Sequence, residues 1–170
     1  MNIVIANRQR ARKINSRLLR EIAGALLADL KIEEAELGIN LVAAREMILV
    51  NETFLRHEGS TDVMTFDYAN EGRAGSPLPA DGAHGVTRPT FHGELFICVA
   101  EAVLQAGKFR TTWQSEIARY IVHGILHLLG HDDLHAAARR RMKREENRLL
   151  AGLSKKFNLA KIGGASKLCV

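Results

Sequence analysis

Residues His123 to Asp133 read HGILHLLGHDD. Two histidines four positions apart in an otherwise apolar run point to a helix. Four residues of α-helix advance about 400°, which sets both imidazoles on one face, one turn apart. Two imidazoles so placed can grip one metal ion. Gly130 suits the end of that helix, because a left-handed turn costs glycine little. Asp133 then lies six residues past His127 and completes H-x-x-x-H-x-x-G-x-x-D. This is the ligand spacing of the extended zincin motif, with aspartate in third place. A carboxylate is a competent zinc donor, and three protein ligands leave a fourth position for water. His131, Asp132 and His135 are alternative third ligands. The spacing favours Asp133, while Asp132 suits orienting a ligand or capping the next helix.

Gly124 is the unusual residue. Zinc proteases of this type carry H-E-x-x-H, with the glutamate as general base. Here that slot holds glycine, which costs a helix about 1 kcal/mol relative to alanine. Either something approaches the backbone closely at this point or the helix packs tightly there. Ordinary peptide hydrolysis loses its base in both cases.

Outward from the motif, the residues from Ile117 to Leu129 are apolar almost all round, so this helix is expected to be central and buried. Thr111 and Gln114 fit a capping box at its start. Upstream, NIVIAN (2–7), LGINLV (37–42), TDVMTF (61–66) and ELFICVA (94–100) read as four strands. Helical spacing recurs at Leu18, Leu19, Ile22, Leu26 and Leu30, with Asn15 or Ser16 as N-cap, and again at Met47, Val50, Phe54 and Leu55. A short helix is expected over 101–106. Residues 68–92 hold all three prolines and read as a long loop, with His57, His84 and His92 placed on loops. A helix over about 134–150 carries the basic run RRRMKR, and 151–170 reads as a basic, weakly ordered tail. The pattern gives one domain over 1–150.

The 170-residue chain has a formal net charge of +5 and a sequence pI near 9.5, a balance that favours a polyanionic partner. Its two cysteines form no disulfide framework. The opening MNIVIANRQRARK has too short an apolar run for a signal peptide, and no run approaches a membrane span. A cytoplasmic protein is expected. The basic runs RQRARK and RRRMKR either line a path for RNA phosphates or form solvated faces. Aromatic residues are only 5% of the chain, so base stacking is expected to be limited and sequence readout weak.

HGILHLLGHDD matches throughout the signature H-G-x-L-H-L-x-G-[YH]-D-[HD] of the YbeY endoribonucleases, the rRNA maturation factors, and the chain resembles that family in several further stretches. TDVMTF is similar to its T-D-V-L-S-F, and HGELFIC to its G-D-I segment. NETFLRHEGSTDV resembles its N-x-x-[YF]-R stretch, with Leu55 in the arginine slot and Arg56 one residue later. Met142, Glu146 and Leu150 fit its terminal helix. The resemblance spans about 37–150. It implies an α+β fold with a small four-stranded mixed sheet packed by about five helices around a zincin-like metal helix. It further implies a zinc-dependent, single-strand-specific endoribonuclease holding one Zn2+. The implied role is in maturation of ribosomal RNA, at the 3′ end of the small-subunit RNA, and in ribosome quality control. The implied partners are single-stranded RNA, the small ribosomal subunit and its assembly factors, with no DNA. His123 and His127 match the family's first two ligands, Asp133 takes the third, and Arg56 is the nearest candidate for the arginine that faces the substrate.

Zinc lowers the pKa of its bound water towards 7 and acts as a Lewis acid on a phosphoryl oxygen. An anionic Asp in place of a neutral His weakens that acidity. Arg56 offers paired donors to two phosphoryl oxygens, or else is a surface arginine beside Glu58 or Asp62. The base is zinc hydroxide alone, or His131 or Asp132 assists. Two other readings stand beside the nuclease: a ribosome-assembly protein with a structural metal, and a metallopeptidase, against which Gly124 argues.

Overall fold

The computed structural model describes residues 1–55, 61–68 and 91–164. The chain is α+β. Its elements run β1 (Asn2–Asn7), α1 (Ser16–Asp29), β2 (Ala35–Val42), α2 (Ala44–Leu55), β3 (Val63–Asp67), β4 (Phe91–Cys98), α3 (Val99–Phe109), α4 (Trp113–Leu128) and α5 (Ala136–Lys156). A short 3-10 turn over Leu159–Ile162 follows. The sheet order is β1-β2-β4-β3, with β1, β2 and β4 parallel and β3 antiparallel to β4. The sheet is therefore mixed and four-stranded, as the resemblance implies.

Strand alternation sends one set of side chains to the main core. Leu37, Ile39 and Leu41 of β2 and Leu95 and Ile97 of β4 pack there against Leu19, Ile22 and Leu26 of α1 and Ile117, Ile121 and Ile125 of α4. The opposite face carries a smaller cluster around Met47, Met64 and Cys98. Parallel β1 and β2 need a crossover, which α1 supplies. The side chain of Asn15 caps α1 by accepting from the Leu18 amide at 3.1 Å.

The helix α4 lies unusually close to β4, and two glycines make that possible. An added Cβ at Gly124 would sit 2.7 Å from Leu95 Cδ2; one at Gly93 would sit 2.8 Å from Leu128 Cδ2 and 2.7 Å from the Phe66 carbonyl oxygen. Tight packing is thus the reason for Gly124. It also means that the first atom of any side chain at position 124 would be aimed at the sheet.

Three expectations need correction. The cap of α4 is Thr112, whose hydroxyl accepts from the Ser115 amide at 3.2 Å, whereas Thr111 bonds the Glu116 carboxylate. His92 sits in β4 rather than on a loop, and Phe91 and His92 are strand residues. The rest of the expected 68–92 loop lies outside the described residues, apart from Tyr68, whose amide donates to the His92 carbonyl at 2.9 Å. His57 and His84 also lie outside them. The tail is not weakly ordered over 151–164. There α5 continues to Lys156, Leu153 and Ile162 are fully buried, and Ile162 O accepts from the Asn15 amide at 2.9 Å. Apolar contact with α1 and α4 therefore outweighs the basic composition of the segment.

Candidate metal centre

The end of α4 builds this site. The amide of His131 donates to the Leu126 carbonyl at 3.0 Å and that of Gly130 to the His127 carbonyl at 2.8 Å. These are the two bonds of a Schellman turn, with Gly130 at φ +83° in the left-handed position it requires. The turn swings the chain back across the helix terminus. It brings the His131 carbonyl 3.0 Å from His127 Nδ1. It also carries Asp133 over the two histidines.

The ring protons follow from the partners. A carbonyl can only accept, so His127 Nδ1 carries the hydrogen and Nε2 the lone pair. On the other ring, His123 Nδ1 lies 3.1 Å from Glu146 Oε2, and a carboxylate likewise accepts. Both Nε2 lone pairs are then turned to one point, with the nitrogens 3.0 Å apart. Two acceptors facing each other repel unless a cation lies between them. Ligands about 2.0–2.1 Å from a tetrahedral zinc stand roughly 3.3 Å apart, close to this spacing. Ligand atoms of His123, His127 and Asp133 all lie within 4.8 Å of one another, and this trio could hold a metal ion. Burial, then the neighbouring His123, lowers the pKa of His127, which favours the neutral form that a metal needs.

The other candidates are placed elsewhere. Asp132 Oδ1 accepts from the Leu134 amide at 2.8 Å, fixing the turn before α5. His131 and His135 are exposed and line a separate depression with Arg141. None of these three belongs to the trio. Arg56 lies outside the described residues.

Glu146 is the residue whose role the sequence left unassigned. It sits on α5, is 4% exposed, and its carboxylate takes bonds from His123, from Lys143 Nζ at 2.8 Å and from Arg119 Nη1. Burial would raise its pKa, but the bonds from His123, Lys143 and Arg119 outweigh that and hold it at about 2. A signal was present. Met142, Glu146 and Leu150 recur every four residues, and an acid in the middle of a buried stripe requires partners.

Beside His123 opens a cleft of about 470 Å³ between α3, α4 and α5. Tyr120 forms part of its wall. Burial, and then the charges of Asp62 and Glu116, push the phenol pKa far up, so it stays protonated.

A family model for the endoribonuclease YbeY matches residues 4–154. The Endoribonuclease YbeY of Myxococcus xanthus is 36% identical over 135 residues, covering 79% of this chain and 42% of that protein. That of Salinibacter ruber is 35% identical over 101 residues, covering 59% of each. The match thus spans about half the length of these relatives. That of Geobacter metallireducens is 28% identical, with 91% of this chain and 97% of the relative covered. The solution structure of a Thermotoga maritima protein superposes with a TM-score of 0.60 at 21% identity, covering 99% of both chains, and shares the fold.

Proposed function

The chain belongs to the YbeY endoribonuclease family, and from that premise we propose that it is a zinc-dependent endoribonuclease that cleaves single-stranded RNA. The observation that carries this reading is the pair of inward-turned Nε2 atoms with Asp133 beside them, set in a family whose curated members are named for RNA cleavage. His123, His127 and Asp133 hold one zinc ion. When bound, the ion supplies Lewis acidity and an activated water. The chain's own residues keep the histidines neutral and aimed: the His131 carbonyl fixes one ring and Glu146 the other. Arg56 is the proposed phosphate clamp. The domain, expected over 1–150, is proposed to extend through the end of α5 and the 3-10 turn, whose Leu153 and Ile162 are fully buried. The setting is ribosomal RNA maturation at the 3′ end of the small-subunit RNA and ribosome quality control, in the cytoplasm, with the small subunit and its assembly factors as partners. No helix among the described residues is long and apolar enough to cross a membrane.

Gly124 weighs against a metallopeptidase, because its Cβ direction faces Leu95. A structural metal in a ribosome-assembly protein is separated by His123→Ala. We expect this variant to fold, by circular dichroism, and to lose cleavage of a single-stranded RNA. Zinc removal by a chelator has the same effect, and zinc restores activity. Unfolding of the variant, with intact RNA under the zinc-loaded native protein, supports the structural metal instead.

A further inference from the structure

The cleft beside His123 shares that ligand and Glu146 with the metal centre, while the rest of its lining has no part in holding the metal. At 1.5 Å rise per residue, its floor along α4 from Glu116 to His123 spans about 10 Å. Its volume of about 470 Å³ falls within the range of about 300–1,000 Å³ usual for small-molecule sites.

The charges on its wall argue against a phosphate. The lining holds the carboxylates Asp62, Glu116 and Glu146 and the cations Arg119 and Lys143. Both cations are already engaged: Arg119 pairs with Glu146 and, at 3.6 Å, with Glu116, and Lys143 pairs with Glu146 at 2.8 Å. Carboxylates outnumber cations, so a phosphoryl group entering here meets net repulsion. A neutral, planar group does not.

The remaining lining suits such a group. Phe109 ends α3 at the mouth of the cleft and is 62% exposed, a large aromatic ring left uncovered by the fold. Lys108 holds its ammonium 5.5 Å from the ring centroid. Gln105, one turn back on α3, and Asn147, across the cleft on α5, contribute carboxamides. Asn147 Oδ1 accepts from Arg119 Nη1 at 3.2 Å, which leaves its amide hydrogens to donate elsewhere.

We propose that this cleft is a nucleobase subsite: it takes one unpaired base of the substrate strand beside the metal trio, with Phe109 as the stacking platform and Gln105 and Asn147 bonding the base edge. The proposal rests on the RNA reading and adds a physical source for single-strand selectivity. A base in a duplex is already stacked and paired, whereas an unpaired base can be splayed onto an aromatic ring. Stacking of this kind tolerates any base, and the Gln105 carboxamide can present either a donor or an acceptor, so weak sequence preference follows.

The test uses the full-length, zinc-loaded protein and two probes without a phosphodiester, adenosine 5′-monophosphate and ribose 5-phosphate, titrated by NMR. The native protein should bind the nucleotide more tightly than the baseless sugar phosphate. Phe109→Ala, at an exposed position, should weaken nucleotide binding fivefold or more and leave the sugar phosphate unchanged. The same variant should raise KM on single-stranded RNA with little change in kcat. Leu104→Ala, which removes a neighbouring exposed side chain outside the cleft, should alter nothing. Equal binding of the two probes by the native protein overturns the subsite, as does nucleotide affinity that survives Phe109→Ala. If the native protein leaves RNA intact, the nuclease reading falls, and the mononucleotide titration still decides the subsite.

Discussion

Gly124 was legible as an oddity, and its cause became visible only in three dimensions. The sequence shows that a protease's base is missing. It does not show that the missing side chain would meet Leu95, because that neighbour comes from a strand 29 positions away. Gly124→Ala should gain about 1 kcal/mol in helix propensity and lose about 1–3 kcal/mol to overpacking. We expect net destabilisation of about 1 kcal/mol, read from urea unfolding. In a Leu95→Ala background the clash is gone, so the same change should become neutral or stabilising. Equal effects in both backgrounds would remove Leu95 as the cause. Glu146 shows the same limit. Its stripe position was visible, but its bond to His123 joins two helices and has no local pattern. Replacing it with glutamine withdraws the anionic acceptor that orients His123 and leaves Lys143 and Arg119 without their shared anion. Glu146→Gln should weaken zinc affinity about 10–100-fold, measured by competition with a chromophoric chelator. The fold should be retained by circular dichroism; unchanged affinity would make Glu146 a purely structural contact.

Elements with strong periodicity were readable from the chain. All four strands and the metal helix follow from alternation, from the apolar run of α4 and from the glycine that ends it. The boundaries that shifted did so where the deciding contact is not local. Thr112, rather than Thr111, caps α4 because Thr111 is drawn to Glu116 one turn on. The extension of α5 was obscured by lysines. Leu153 continues the stripe of Leu149 and Leu150 at helical spacing, while Ile162 lies beyond the helix and fits no such pattern; both reach the core, and Lys156 pairs with Asp29 of α1. The segment after residue 150 therefore fastens α5 to α1 and α4. Leu153→Ala should cost about 2–5 kcal/mol, as expected for a fully buried leucine. A loss below about 0.5 kcal/mol in urea unfolding would mean that the segment adds little to the fold.

At the scale of the whole molecule, the net charge of +5 suggested a polyanion without saying where it binds. The fold narrows this. The metal-side cleft is not cationic, since its arginine and lysine are spent on carboxylates. Several other basic side chains are also paired, as Arg148 is with Glu145 and Lys156 with Asp29. The buried stripe of α5 runs through Met142, Glu146, Leu149 and Leu153. With 100° per residue, Arg140 and Arg144 fall on the opposite side of the helix, and Arg141 falls on a flank. All three are exposed, and among the described residues no ion pair engages them. If a single strand places a base in the cleft, its phosphates need a cationic surface outside it, and this face offers one. Each phosphate contact on single-stranded nucleic acid contributes about −0.7 to the slope of log K against log salt. Changing Arg140, Arg141 and Arg144 together to glutamine should therefore flatten that slope by about 2 if all three touch phosphates. It should raise KM for single-stranded RNA most strongly at low salt and leave kcat and zinc content unchanged. Binding isotherms by fluorescence anisotropy across a salt series would measure the slope. An unaltered slope would assign the arginines to solvent and move the phosphate path to another face.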